Sequence, residues 1–182
     1  MNLDQKDTVG AVSSPHPARV LVTGASGFLG MHIARRLAAH GAQVIAGVRR
    51  AGAHSDNSVV LDIADGPSVE AVLERVRPTH IINCAAYGVD QRLQDTSSAF
   101  AVNVKGAADL VMAAAKAGVS RVIHIGTCSE YASSDDPIAE SAPQGPHNLY
   151  ALSKAAGTLL AQEIAEKAGI DVLVLRPFGL WV

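Results

Sequence analysis

A doubly wound α/β fold, with a mostly parallel sheet between two layers of helices, is predicted by three observations. Short segments rich in valine, isoleucine and leucine alternate with helical patterns from Arg19 onward. These segments are nearly continuous apolar runs, which is typical of strands covered on both faces. A glycine-rich turn joins the first strand to the first helix. Alternating strands and helices imply right-handed β-α-β units, and hence this fold.

Six strands are predicted where β-branched and aliphatic residues cluster. In chain order their ranges are 19–22, 42–48, 59–63, 79–84, 121–125 and 170–175. Between the fifth strand and the last helix, residues 131–148 contain Pro137, Pro143 and Pro146. Irregular segments of this length are often functional, so we expect a functional loop there.

The helices between these strands are predicted from apolar periodicity and from signals at their ends. Gly41 stops the first helix, Pro67 lies in the first turn of the second, and Gly169 ends the last. The third is one long alanine-rich helix ended by Gly118. Their predicted ranges are from the glycine turn to His40, 67–76, 95–118 and 149–168.

The composition describes one globular domain after a short leader. The chain has 182 residues, 48% hydrophobic and 18% charged, with net charge -2. Residues 1–18 are polar, so we expect a flexible leader there and the domain over 19–182. The charge balance predicts no nucleic-acid or membrane partner, and no apolar run approaches the roughly 20 residues that span a bilayer. Cys84 and Cys128 are interpreted as free thiols of a cytoplasmic protein, and no spacing resembles a metal site.

The turn between the first strand and helix carries glycines at every third position. We expect Gly24 to make a tight turn, Gly27 to let a ligand approach the backbone, and Gly30 to allow close helix–strand packing. A helix that begins beside Gly27 directs free backbone N–H groups and its positive dipole end toward a pyrophosphate. No Lys-Ser/Thr pair follows, which argues against a nucleotide-hydrolysing P-loop.

Ligands collect at the carboxyl ends of parallel strands, so the residues after each strand are candidates for contact. Arg49 and Arg50 follow the second strand, where two guanidinium groups suit a ribose 2′-phosphate. They favour NADP, with NAD as the alternative; two solvated arginines would give the same sequence.

The residues after the third and fourth strands are candidates for the adenosine end of the ligand. Asp62 suits the adenine amino group and Ile63 the ring, unless Asp62 is a turn carboxylate. Ala85 and Ala86 are small enough for backbone to approach a ribose, although simple close packing would explain them equally well.

Tyr150 and Lys154 lie four residues apart on a predicted helix and so share a face. A nearby ammonium lowers the pKa of a phenol from about 10 by roughly 1–3 units, toward the range that suits a general acid–base. Thr127, directly after the fifth strand, offers a hydroxyl at the same sheet edge. An exposed helix pair and a turn-capping threonine are the structural alternatives.

With these residues in order, the chain resembles the short-chain dehydrogenase/reductase superfamily. Within it, the chain is similar to the extended branch of nucleotide-sugar epimerases, dehydratases and reductases, the NAD-dependent epimerase/dehydratase family. The resemblance implies a Rossmann fold and covers nearly the whole chain from Arg19. The matching residues are 23–30, Asp62 and Ile63, 83–86, 103–106, Thr127, 150–154 and 176–178.

The resemblance implies a role for each matching residue. Thr127 would orient the substrate oxygen, Tyr150 would exchange its proton, and Lys154 would tune Tyr150 and bind the nicotinamide ribose. Asn103 would fix local backbone. The residues expected to bind the cofactor are Gly24, Ser26, Gly27, Phe28, Leu29, Gly30, Arg49, Arg50, Asp62, Ile63, Ala85, Ala86, Asn103, Tyr150, Lys154, Pro177 and Phe178.

Departures from the family pattern narrow the expected activity. The 4,6-dehydratases carry an acidic residue in one of the two positions after the catalytic threonine, and here those positions hold Cys128 and Ser129. This favours a 4-keto-sugar reductase that acts on a nucleotide sugar, with a 4-epimerase as the alternative.

Family members continue into a helical substrate-binding lobe that this sequence does not include. A non-catalytic dinucleotide-binding module is therefore the second hypothesis. By resemblance, the helices from Asp95 and from Leu149 would form a homodimer interface, although a face buried within one chain would look the same.

Overall fold

The structure, a computed structural model, describes residues 18–50, 57–90, 92 and 94–179. Its six strands form one parallel sheet in the order β3-β2-β1-β4-β5-β6, which confirms the predicted doubly wound Rossmann fold. Residues 1–17 of the predicted leader lie outside the described residues. The strands are β1 Arg19–Thr23, β2 Gln43–Val48, β3 Ser58–Val60, β4 His80–Asn83, β5 Arg121–Ile125 and β6 Asp171–Leu175.

The helices flank this sheet on both faces. The residues from Thr96 to Lys116 are helical throughout, but a π-helical segment, Phe100–Gly106, interrupts the predicted regular helix. The last helix ends at Gly169, which adopts a left-handed conformation with φ of 68° as a stop signal requires. The α-helices are α1 Phe28–Ala39, α2 Gly66–Val76, α3 Thr96–Ala99, α4 Ala107–Lys116 and α5 Leu149–Ala168.

Two apolar cores lie on opposite faces of the sheet. On one face, residues of the central strands such as Leu21, Ile81 and Val122 pack against α2, α4 and α5. On the other face, Val20 and Val22 belong to a smaller core that packs against α1. Burial on both faces explains why the strands are apolar without alternation.

The third strand is shorter than predicted. Pairing ends at Val60, and the chain turns at Asp62, whose carboxylate accepts a hydrogen bond from the Ala64 amide at 3.0 Å. Leu61 and Ile63 are nevertheless buried. The apolar pattern therefore identified buried residues correctly, and the side-chain hydrogen bond of the aspartate ended the strand.

One helix corrects the expectation about long apolar segments. Thr96–Lys116 has 21 residues, and the mean hydropathy of its most apolar 18-residue window is 1.2, enough by length and composition alone to cross a membrane. Half of its most apolar window, 50%, is buried inside the protein. The sequence showed no long run of large apolar side chains here because much of the helix is alanine, which raises the mean hydropathy without forming such a run. The helix packs against α5.

Candidate functional site

The residues expected to act together meet at the carboxyl ends of β1, β4 and β5. A cavity of about 590 Å³ lies there, beside a smaller cavity of about 190 Å³. The larger is lined by the expected residues Gly24, Gly27, Phe28, Leu29, Gly30, Ala86, Thr127, Tyr150, Lys154, Pro177 and Phe178. The smaller is lined by the expected residues Gly24, Ser26, Gly27, Arg49, Asp62, Ile63, Ala85 and Ala86. A third cavity, of about 740 Å³ along β6, contains none of the three expected catalytic residues.

The glycine turn brings three backbone segments close together. Gly24 has φ of 62°, and a Cβ there would lie 2.8 Å from the Ala85 amide nitrogen. A Cβ on Gly30 would overlap the Gly24 carbonyl group. No side chain caps the amino end of α1 at Gly27, so the N–H groups of its first turn are available to a ligand beside the cavity.

The two arginines that follow β2 differ in their position relative to the smaller cavity. Arg49 and Arg50 are both exposed, but only Arg49 lines this cavity, together with Asp62. Asp62 is half-buried and is the turn carboxylate that the sequence left open as an alternative. Arg49 is therefore the arginine that is placed to meet a ligand in this cavity.

Thr127 caps a short 3-10 helix, Cys128–Glu130, directly after β5. Its hydroxyl oxygen accepts a hydrogen bond from the Ser129 amide at 3.3 Å, and its own amide donates to the Glu130 carboxylate at 3.0 Å. The capping alternative that the sequence left open is thus observed. The same residue also lines the larger cavity, so its capping role and its place in the site coexist.

Lys154 and Tyr150 share the helix face that closes this cavity. The Lys154 side chain is buried, and its Nζ donates a hydrogen bond to the Ile125 carbonyl oxygen at 2.6 Å. Burial lowers the pKa of Lys154 to about 8, although the charge of Glu130 opposes this shift.

The expectation that Lys154 lowers the pKa of Tyr150 is wrong. Burial of the phenol raises the pKa of Tyr150, and hydrogen bonding with the Thr127 side chain only partly opposes it. The charges of Glu130 and Cys128 raise it further. The reason is that the desolvation of the phenolate outweighs its favourable interactions, so the neutral phenol is favoured.

Asn103 lies in the π-helical segment and is buried, and it lines neither of the two cavities at the glycine turn. Its carboxamide accepts from the Tyr87 amide at 2.8 Å and donates to the Tyr87 carbonyl at 2.9 Å and to the Ser153 hydroxyl at 2.8 Å. Ser153 in turn donates to the Tyr150 carbonyl at 3.0 Å. Asn103 therefore braces the loop after β4 against the helix turn that carries Tyr150.

A buried ion pair between Glu130 and Arg176, which was not predicted from the sequence, lies beneath the site. Glu130 is completely buried, and its Oε2 accepts a hydrogen bond from Arg176 Nε at 2.7 Å. The spacing of Thr127 and Glu130, a threonine three residues before a glutamate, is a capping-box signal that could have indicated the inward direction of this carboxylate. No local signal indicates its pairing with a residue 46 positions away.

Comparison with known proteins identifies the family. Residues 20–181 match the model of the NAD dependent epimerase/dehydratase family. The chain belongs to this family. The resemblance inferred from the sequence is thereby confirmed. Among the described residues of this family member, no group of three or more His, Cys, Asp or Glu is placed to hold a metal ion.

Individual relatives include both reductases and epimerases. A dTDP-4-dehydrorhamnose reductase from Streptomyces griseus is 35% identical over 169 residues, covering 91% of this chain and 52% of that protein. The same kind of reductase from Bacillus anthracis, in complex with NADP, superposes with a TM-score of 0.76 at 28% identity, covering 93% of this chain and 56% of that one. A Thermus thermophilus UDP-glucose 4-epimerase complex with NAD gives 0.77 at 30% identity, covering 87% and 54%. This family member spans about half the length of these relatives.

Proposed function

We propose that this chain is the dinucleotide-binding part of an NADP-dependent oxidoreductase of nucleotide sugars, and specifically of a 4-keto-sugar reductase. The observation that carries the proposal is that Thr127, Tyr150 and Lys154 line one cavity together with the glycine turn. The glycine turn proposed to bind the dinucleotide and the three side chains proposed to act in catalysis thus line the same cavity. The relatives named as reductases support the reaction class.

The glycine turn and the cavities around it fit a nicotinamide dinucleotide. The uncapped amino end of α1 offers N–H donors to a pyrophosphate. Gly24 and Gly30 themselves place no side chain between the close backbone segments. Arg49 would bind a 2′-phosphate in the smaller cavity, beside Asp62. Phe178 and Pro177 would flank the nicotinamide end in the larger cavity.

Proton transfer is assigned to Tyr150. The dinucleotide, when bound, supplies the hydride that reduces a carbonyl carbon of the sugar. Tyr150, which its raised pKa keeps protonated, then donates its phenolic proton to the carbonyl oxygen. Thr127 orients the same oxygen through its hydroxyl group, and Lys154 holds the nicotinamide ribose with its ammonium group.

Two other functions remain as alternatives with their own support. A 4-epimerase would use the same three side chains, and similarity to a UDP-glucose 4-epimerase structure favours it. A non-catalytic dinucleotide-binding module would need only the uncapped amino end of α1 and the two cavities at the glycine turn. Both alternatives share the dinucleotide site and differ in what happens to a sugar.

We also propose that the protein forms a homodimer through α4 and α5. These helices pack together, and they expose large apolar side chains from Met112 on α4 and from Leu152 and Leu159 on α5. Leu152 and Leu159 are seven residues apart and so lie on one helix face. Sedimentation of the wild-type protein and of Leu159→Lys tests this, with a monomeric variant as the expected result.

The function is tested by replacing Tyr150 with Phe in the 182-residue chain. NADPH binding is followed by nicotinamide fluorescence, and reduction of a dTDP-4-keto-6-deoxy sugar is followed by mass spectrometry over long incubations. We expect Tyr150→Phe to bind NADPH as the wild type does and to form product at least about 100-fold more slowly. Tyr87→Phe is the matched control, because the contacts of Tyr87 with Asn103 involve only its backbone.

The outcomes separate the three functions. Reduction of the sugar with loss of NADPH supports the reductase, and interconversion of sugar epimers without net loss supports the epimerase. NADPH binding with no change in any sugar supports the module. If the wild type does not bind NADPH, or if Tyr150→Phe forms product at the wild-type rate, the proposal is wrong.

A further inference from the structure

The buried carboxylate of Glu130 joins three elements that surround the site. Its Oε1 accepts hydrogen bonds from the Thr127 amide at 3.0 Å, at the end of β5, and from the Thr158 hydroxyl on α5 at 3.1 Å. Its Oε2 accepts from Arg176 Nε at 2.7 Å, directly after β6. One side chain thus links two strand ends and the helix that carries Tyr150 and Lys154.

The backbone leaves space for this carboxylate. A Cβ on Gly126 would lie only 2.6 Å from Glu130 Oε1. Burying an ion pair is costly, and apolar side chains of similar volume often stabilise a protein as well or better. A contribution to stability alone is therefore a weak reason for a carboxylate in this place, and a role in the site is a stronger one.

Two of the partners of Glu130, Thr127 and Arg176, lead to parts of the larger cavity. Thr127 is held at its amide by Glu130, and its side chain lines the cavity that Tyr150 also lines. Arg176 precedes Pro177, whose carbonyl accepts from the Cys128 amide at 3.1 Å. The segment that carries Pro177 and Phe178 is therefore fastened at two neighbouring points to the 3-10 helix that Thr127 caps.

We propose that Glu130 is a positioning residue of this site: its Oε1 holds the Thr127 backbone so that the Thr127 hydroxyl meets Tyr150, and its Oε2 holds the segment after β6 against the same cavity. Glu130 does not itself touch a substrate, since it is completely buried. The inference rests on the proposed function for its consequence in catalysis. The arrangement of Glu130, Thr127 and Tyr150 can be tested without any reaction.

Two properties of Glu130 have to be separated by the choice of variant. Its charge raises the pKa of both Tyr150 and Lys154, whereas its oxygen accepts the Thr127 hydrogen bond. Glu130→Gln removes the charge and keeps an accepting oxygen. The double variant Glu130→Met with Arg176→Met removes both the oxygen and the guanidinium that would otherwise lose its partner, so it avoids an unpaired buried charge.

The test is a double-mutant cycle read out by the ionisation of Tyr150. The absorbance of tyrosinate is recorded within milliseconds of a stopped-flow jump in pH, before alkaline unfolding, and each signal is corrected with the matching Tyr150→Phe protein. In the wild type, Thr127→Val removes the Thr127 hydroxyl, whose hydrogen bonding lowers the pKa of Tyr150, so we expect the midpoint to rise.

We expect this upward shift of the Tyr150 midpoint to persist in the Glu130→Gln background and to vanish in the Glu130→Met/Arg176→Met background. An equal shift in all three backgrounds would overturn it, as would loss of the shift in Glu130→Gln. Thr158→Val is the control for a purely structural role, because it removes another bond to the same Oε1 and should leave the shift intact.

The two proposals can fail separately. If the cycle shows the expected coupling but the protein never transfers hydride to a sugar, the positioning role stands and the proposed function fails. If hydride transfer is observed and the coupling is absent, the reverse holds. Circular dichroism of every variant establishes that it is folded, and Glu130→Gln alone keeps the proposal falsifiable if the double variant does not fold.

Discussion

The carboxamide of Asn83 donates a hydrogen bond to Nδ1 of His124 at 3.2 Å, deep beneath the site. The orientation of the amide follows from its other end, since Asn83 Oδ1 accepts from the Ala85 backbone amide, which can only donate, at 3.3 Å. Nδ1 of His124 must therefore be unprotonated, and the proton lies on Nε2. Among the described residues, Nε2 has no hydrogen-bond partner.

His124 predicts a loss of stability in mild acid. Burial, with the charges of Lys154 and Arg176, lowers the pKa of His124 from 6.5 to about 3. Between these values the unfolded chain binds a proton that the folded protein does not, so the free energy of unfolding falls as the pH falls below about 6.5. Chemical denaturation at pH 7 and pH 5 should show a loss of about 2 kcal/mol from this residue.

The same measurement on two variants identifies the histidine responsible. His124→Gln can still accept the Asn83 hydrogen bond and cannot be protonated, so most of the difference between pH 7 and pH 5 should disappear. His32→Gln, on the exposed face of α1, should retain it. An unchanged pH dependence in His124→Gln would contradict the assignment.

Gly157 allows α5 to approach the π-helical segment. A Cβ at this position would overlap the Asn103 carbonyl oxygen, which is backbone and cannot move aside cheaply. We expect Gly157→Ala to lower the free energy of unfolding by about 2 kcal/mol or more, measured by urea denaturation. Gly66→Ala is the control, since its Cβ would meet only the ends of the Asp109 and Lys105 side chains, and a loss as large in that variant would refute the argument.

The two arginines after β2 should differ in their effect on cofactor choice. Arg49 lines the smaller cavity and Arg50 does not. Arg49→Ala should weaken NADPH binding roughly 10- to 100-fold and leave NADH binding nearly unchanged, because a charge-assisted hydrogen bond to the 2′-phosphate is lost. Titration calorimetry with both dinucleotides measures this, and an equal effect of Arg50→Ala would show that the cavity does not select the phosphate.

Lys154 should make dinucleotide binding depend on pH. Its pKa of about 8 means that the ammonium form is lost above that pH. If the ammonium group holds the ribose, NADPH affinity should fall by up to about tenfold per pH unit between pH 8 and pH 9.5. Lys154→Met should bind weakly at every pH without this slope. Lys116→Met, on the surface of α4 beside Glu70, should retain the slope, and a flat wild-type profile would exclude the role.

Local patterns predicted most of the fold. Apolar runs identified all six strands, because the central strands of a parallel sheet are buried on both faces and the edge strands β3 and β6 are apolar as well, although they are only partly buried. The end of β3 at Val60 was missed because the chain turns at Asp62, whose carboxylate accepts a hydrogen bond from the Ala64 amide. The π-helical segment was missed because apolar periodicity does not distinguish it from a regular helix, whereas its close packing of Asn103 against Gly157 involves a distant helix.

The sequence by itself determined the family, the parallel sheet, and most of the residues that line the site, because these depend on composition and spacing along the chain. Only the tertiary structure decided the environment of each titratable group. Lys154 donates to the Ile125 carbonyl at the end of β5, and Glu130 pairs with Arg176, directly after β6. In each pair the two residues are distant in sequence. The pKa of Tyr150 rises because folding removes the phenol from water, a desolvation that a spacing of four residues cannot reveal.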